Sequence, residues 1–144
     1  MIDADPVARF DRLLGALFSG GLAHVKDSRT GGPPRPDPMS LGWTKDDVAQ
    51  GRCIGWAEAG SLLLEPEGTY ALVQDMATRQ NENITLSRGT LWKRLDEAGR
   101  LLSRDGKYLT VRRQGLPGAG VRLRVLHFRW APEPVPVGKS EEAA

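Results

Sequence analysis

Val7, Phe10, Leu13, Leu14 and Leu17 recur at the spacing of one helical face, directly after Asp5-Pro6. A capping carboxylate followed by proline at the first helical position opens a helix, and Gly20-Gly21 closes it, so the pattern predicts a helix over Pro6–Ser19. Residues 22–25 read as a short strand and 26–38 as a loop, because Thr30-Gly31-Gly32-Pro33-Pro34 sustains neither helix nor ladder. Leu41-Gly42-Trp43 returns the chain to the fold through the indole, 46–51 is turn-like, and 53–57 is a second short strand ending at a turn over 58–60. The apolar run Leu62-Leu63-Leu64 leads into Glu65-Pro66-Glu67, whose proline and acids suit a helix start, and Tyr70, Leu72, Val73, Met76 and Ala77 carry that helix to about residue 79. Asn81-Glu82-Asn83 breaks it.

The clearest helix signal comes next. Ser87 stands at an N-cap, with Leu86 before it and Leu91 four places after it as a hydrophobic staple. Leu91, Trp92, Leu95 and Ala98 follow at helical spacing and Gly99 supplies a left-handed stop, which predicts a helix over 88–98. Arg88, Lys93, Arg94, Asp96 and Glu97 fall on its outward side. From Gly99 the period changes from helical to alternating. Arg104-Asp105-Gly106-Lys107 is a tight turn, 108–113 a strand, 115–120 a glycine-rich loop tip, and 121–128 a strand in which apolar and basic residues alternate. That alternation is expected to turn the apolar side chains one way and Arg122 and Arg124 the other. The tail from residue 131 is rich in proline, then acidic and small, and is expected to be disordered.

Helix, break, capped helix and two-stranded ribbon follow in the order of a winged helix-turn-helix, with 88–98 in the recognition position and the ribbon as the wing. The expected fold class is therefore α+β: a winged helix-turn-helix over 61–130, an N-terminal helix with short strands and a Pro/Gly loop over 1–60 packing on its core, and a tail over 131–144. Charge sharpens this picture. The chain of 144 residues carries a net charge of only +2. Residues 86–130, however, hold eleven basic side chains against three acidic ones, a balance of +8 that leaves −6 for the remainder. Charge concentrated in one region suggests a polyanionic partner for it. The major groove of B-DNA admits a helix, and phosphates on both groove edges need cations on that helix and on its flanks. The candidate contacts are Arg88, Lys93 and Arg94 on the helix, with Lys107, Arg112, Arg113, Arg122 and Arg124 on or near the wing. Winged helices also serve as protein-interaction or dimer modules, so docking onto a helicase or primase, or onto a second copy as a homodimer, stands as the alternative.

The segments Leu86-Ser87-Arg88-Gly89-Thr90-Leu91-Trp92-Lys93-Arg94-Leu95, Gly99-Arg100-Leu101-Leu102-Ser103, Leu109-Thr110-Val111-Arg112-Arg113 and Arg124-Val125-Leu126-His127-Phe128 resemble the C-terminal region of primase-helicase replication proteins of phages and integrative elements. Leu17 to Val25, Thr30-Gly31-Gly32-Pro33-Pro34, Leu41-Gly42-Trp43 and Ile54-Gly55-Trp56 resemble the stretch just upstream in such proteins, so the resemblance spans roughly residues 10–130. It implies a nucleic-acid-binding accessory part of a mobile-element replication protein, with DNA the favoured partner over RNA. The sequence holds no Gly-x-x-x-x-Gly-Lys-[Ser/Thr] phosphate loop and no acidic pair suited to magnesium, so the implied part is not the motor.

Other chemistry finds little support. Two histidines, His24 and His127, and one cysteine, Cys53, have no ligand spacing for a metal. Cys53 beside Ile54 reads as a small apolar residue, His24 as satisfying a local hydrogen bond, and His127 as facing solvent or nucleic acid. Trp92 falls on an apolar helix face, Trp43 and Trp56 anchor the long loop, and Trp130 is the one indole expected to be exposed. The sequence thus predicts no enzyme, no cofactor and no metal. A single thiol, the lack of an eighteen-residue apolar run and an acidic N-terminus predict a cytoplasmic protein that does not engage membrane.

Overall fold

Asp5 accepts a hydrogen bond from the Val7 amide (3.0 Å) and opens helix α1 (Pro6–Ser19), which buries Phe10, Leu13, Leu14, Leu17 and Phe18. The computed structural model describes residues 5–35, 37–81, 84–118 and 123–130. After α1 come strand β1 (Ala23–Asp27), a 3-10 turn over Pro38–Leu41, and strands β2 (Arg52–Glu58) and β3 (Ser61–Leu64). Helices α2 (Pro66–Arg79) and α3 (Arg88–Glu97) and strands β4 (Val111–Arg113) and β5 (Leu123–Arg129) complete the fold. The class is α+β: among the described residues there are three helices and one mixed five-stranded sheet of order β1-β2-β3-β5-β4, in which only β1 and β2 run parallel.

Helix bounds follow the sequence pattern closely, because caps and apolar stripes are local signals. The helix expected over 88–98 ends one residue earlier, with Ala98 as its cap and Gly99 in the left-handed region at φ 76°. Strands shift more. The first runs two residues beyond the expected 22–25, and the second extends one residue each way beyond 53–57. The run Leu62-Leu63-Leu64 becomes β3, the central strand of the sheet, fully buried along its length. A strand covered on both faces shows no alternation, so its pattern cannot be told from a helix lead-in.

The β2–β3 hairpin pairs Glu58 with Ser61, and β3 pairs with β5 from Ser61↔Arg129 to Leu64↔Leu126. The segments expected over 1–60 and 61–130 therefore share one sheet and one core. That core gathers Phe10, Leu14 and Phe18 of α1, Val73 and Ala77 of α2, Leu91, Trp92 and Leu95 of α3, and Leu62, Leu64, Leu126 and Phe128 of the sheet. The other face carries a second cluster of Trp56, Leu63, Leu116 and Val125. Leu116 is buried and Trp56 Nε1 donates to the Pro117 carbonyl (2.9 Å), so residues 115–118 fold back over this face. The loop expected over 115–120 as a free wing tip is corrected to that extent. Its remainder, 119–120, the strand start at 121–122 and the tail at 131–144 lie outside the described residues.

Two close approaches set the path of the N-terminal half. Gly51 (φ 67°) passes so near β1 that an added Cβ would stand 2.2 Å from the Leu22 carbonyl, and Trp43 Nε1 donates to Val25 O (2.7 Å), sealing the outer edge of β1. Gly51→Ala combines a disfavoured φ with an overlap against backbone. It is expected to destabilise the fold by about 2–4 kcal/mol, read as a lowered urea midpoint.

Candidate nucleic-acid interface

Ser87 Oγ accepts from the Thr90 amide (3.3 Å) and starts α3, whose Leu91, Trp92 and Leu95 turn into the core. What remains outside is Arg88, Gly89, Thr90, Lys93, Arg94 and Glu97, all exposed. The connection from α2 is latched rather than loose. Tyr70 OH donates to Leu86 O (2.7 Å), and Gln74 Nε2 donates to Ile84 O (3.0 Å). The entry of α3 is thereby fixed against α2. Arg88 sits 3.6 Å from Glu67 and Arg94 3.7 Å from Glu97, with both arginine side chains about half exposed at 48% and 55%. Ion pairs this exposed contribute at most about 1 kcal/mol and exchange readily for a phosphate.

In the β4–β5 pair Arg112 stands opposite Arg124, Val111 opposite Val125, and Arg113 opposite Leu123. Alternation puts Arg124 on the same side of β5 as Leu126 and Phe128, the side that packs with the helices. Arg112 and Arg124 therefore extend the helix side of the sheet beyond the core. The expectation that the apolar residues of 121–128 share one side is corrected: Leu123 and Val125 join the second cluster, whereas Leu126 and Phe128 join the main core. A sheet packed on both faces splits its apolar residues, and the adjacent pair Val125-Leu126 is where the sequence pattern shows it.

Arg124 is held within the fold. Its Nε donates to Thr110 Oγ1 (2.9 Å), and one terminal nitrogen donates to Thr110 O (2.7 Å) and Asp105 Oδ2 (3.2 Å). Its guanidinium carbon lies 4.9 Å over the Tyr108 ring. Arg112 is exposed and has no ion pair with a described residue, and the same is true of Lys93. Two like charges in register on a sheet repel. Asp105 relieves one of the two, and no described carboxylate pairs with Arg112. Arg104, 3.1 Å from Asp96 of α3, brings the 105–108 turn beside the helix. Exposed Lys107 belongs to that turn.

Other candidates fall elsewhere. Arg113 points to the opposite side of the sheet and forms a two-pronged ion pair with Glu58, the second contact being Arg113 Nη1 to Glu58 Oε1 at 3.3 Å; its side chain is only 31% exposed. Arg122 lies outside the described residues. Arg100, one of the eleven cations, binds Asp11 and the Arg129 carbonyl and sits 4.8 Å over Phe128, as a brace between α1 and β5.

His127 does not face open solvent. Ser103 Oγ is 2.8 Å from its Nδ1 and Ser61 Oγ 3.2 Å from its Nε2. Burial holds its pKa below the ordinary 6.5, with Glu58 opposing and Arg113 adding to the shift. The unfolded chain thus takes up the proton first. Stability is complete above pH 6.5 and is expected to fall as the pH drops from there toward the lowered folded value, whereas His127→Gln removes that component of the slope. Urea unfolding between pH 8 and pH 5.5 measures it. Trp130, expected to be exposed, is half-buried and meets Phe18 edge-on at 5.8 Å. His24 Nδ1 lies 2.9 Å from Gln50 O, a local bond of the kind the sequence suggests, and Cys53 is half-buried with Sγ 3.5 Å from Gly55 O. Sequence reasoning passed over Tyr108, whose placement among cations depends on the pairing of β4 with β5.

A recess of about 730 Å³ opens elsewhere, between Arg29, Arg35, Leu41 and the β2–β3 turn; its rim is of mixed charge and includes none of the candidate cations. Among the described residues no group of three or more His, Cys, Asp or Glu is arranged to hold a metal, and no helix is long and apolar enough to cross a membrane. Comparison with protein-family models, with curated proteins and with solved structures found no match to this chain.

Proposed function

We propose that the chain is a non-catalytic DNA-binding module of winged helix-turn-helix type, with α3 laid along a groove and the β4–β5 ribbon set against the backbone. The element order supports the fold reading: α1, β3, α2, α3, β4, β5, with β3 beside β5 and β5 beside β4, while β1 and β2 extend the sheet at the β3 edge. The single observation that carries the function is the shared side of the cations. Lys93 and Arg94 are exposed on α3, Lys107 is exposed in the turn that the Arg104–Asp96 pair ties to that helix, and exposed Arg112 faces Arg124 in register on the sheet side that packs with the helices. Cations that neutralise phosphates release the counterions condensed on DNA, and this is the sequence-independent term that dominates DNA affinity. The contact set is Arg88, Lys93, Arg94, Lys107 and Arg112, with Arg124 as the strut that shapes the ribbon and Arg113 on the far side. The resemblance of 86–95 and 124–128 to primase-helicase C-terminal regions supports a place in mobile-element replication, next to a helicase or primase.

Adjacent arginines of β4 supply the test. Arg112→Ala is expected to weaken binding to a fluorescent duplex several-fold with little change in stability. Arg113→Ala is expected to leave the affinity alone and to lower the urea midpoint, because it strands half-buried Glu58. Equal effects of the two on affinity, or none from either, would overturn the assignment and favour a protein-interaction role.

A further inference from the structure

Tyr108 is an exposed aromatic on a rigid support. The residue is 54% exposed, yet the turn beneath it is closed by two backbone hydrogen bonds, Asp105 N to Tyr108 O and Tyr108 N to Asp105 O, each 3.0 Å. Gly106 at φ 61° supplies the left-handed residue the turn needs. Arg124 straps this turn to β5 through Thr110 and Asp105 and lies over the ring, and Lys107 Nζ is 5.6 Å from the ring centroid. The turn fixes the backbone beneath the ring, two cations flank the ring, and more than half of the residue stays exposed.

We propose that Tyr108 is a stacking platform for an unpaired nucleobase, with Lys107 and Arg112 taking the phosphates on either side of that nucleotide. The proposal rests on the DNA-binding reading and deepens it: the preferred substrate is a duplex ending in, or interrupted by, single-stranded DNA. Three features point to a base. An aromatic face accepts any base by stacking, and a guanidinium against the ring strengthens such sites. The surroundings are charged rather than apolar: Lys107 and Arg124 lie 5.6 and 4.9 Å from the ring centroid, Arg112 stands opposite Arg124, and Asp105 answers one of these cations, whereas a protein partner's apolar contact needs a contiguous apolar patch. The Arg104–Asp96 pair ties the segment just before this turn to α3, the helix proposed to hold the duplex. Bases inside an intact duplex are already stacked and gain nothing from the ring.

The experiment compares a blunt duplex with the same duplex bearing a short single-stranded overhang that contains 2-aminopurine. The parent protein is expected to bind the overhang substrate roughly tenfold more tightly than the blunt one and to quench the 2-aminopurine fluorescence. Tyr108→Ala is expected to remove both the gain and the quenching while binding the blunt duplex as the parent does. Tyr108→Phe is expected to keep both. Equal affinity of the parent for the two substrates, or a gain that survives Tyr108→Ala, overturns the platform and leaves duplex binding standing. Absence of binding to both substrates overturns the DNA-binding reading and the platform with it.

Discussion

Reversing Lys93 and Arg112 together to Glu is expected to lower affinity for duplex DNA roughly a hundredfold at fixed low salt. Each side chain is exposed, has no ion pair with a described residue, and lies on the helix side of the sheet. A charge-assisted contact to phosphate is worth about 1.5 kcal/mol or more, so two lost contacts cost about 3 kcal/mol, and repulsion between the new carboxylates and phosphate adds to it. Folding is spared, since surface changes of this kind move stability by about 0.5 kcal/mol. Glu at position 112 even gains an opposite charge across the strand at Arg124. Fluorescence anisotropy with a labelled duplex, set beside urea unfolding of the same samples, separates the two quantities.

The largest stability effect is expected at Phe128. Its ring is fully buried, meets Phe10 edge-on at 5.4 Å and Trp130 at 6.3 Å, and carries the Arg100 guanidinium 4.8 Å above it. On the sheet it stands opposite Leu62, so α1, β3, β5 and the Arg100 brace meet at one side chain. Phe128→Ala empties that junction and is expected to cost about 3–5 kcal/mol, a large share of the 5–15 kcal/mol typical of a domain. Urea denaturation reads the loss as a lower midpoint at an unchanged slope. An effect near zero would show that the main core does not depend on the contact between α1 and β5.

The helices were legible in the chain because each is announced locally. Asp5-Pro6, Glu65-Pro66 and Ser87 are caps that act within three residues, and the caps observed are these same side chains. The sheet was less legible, because its second apolar face is assembled from distant pieces. Trp56, Leu63, Leu116 and Val125 come from β2, β3, the loop after β4 and β5, and no window of sequence holds all four. That hidden face explains why β3 lacks alternation, why 115–118 lies against the sheet, and why Arg113 turns away from Arg112. The candidate site was legible as composition but not as geometry. The run of basic residues after Ser87 is plain, yet which cations stay exposed is decided by carboxylates far along the chain, Glu58 for Arg113 and Asp11 for Arg100. His127 looked solvent-facing because its partner Ser61 lies on another strand.

The salt dependence of duplex affinity for the unaltered protein bears most directly on the claim that its exposed cations face a polyanion. Plotting the logarithm of affinity against that of salt concentration is expected to give a straight line of slope roughly −4.5, about 0.9 for each phosphate met by Arg88, Lys93, Arg94, Lys107 and Arg112. A line without slope, or no duplex binding at low salt, would contradict the account.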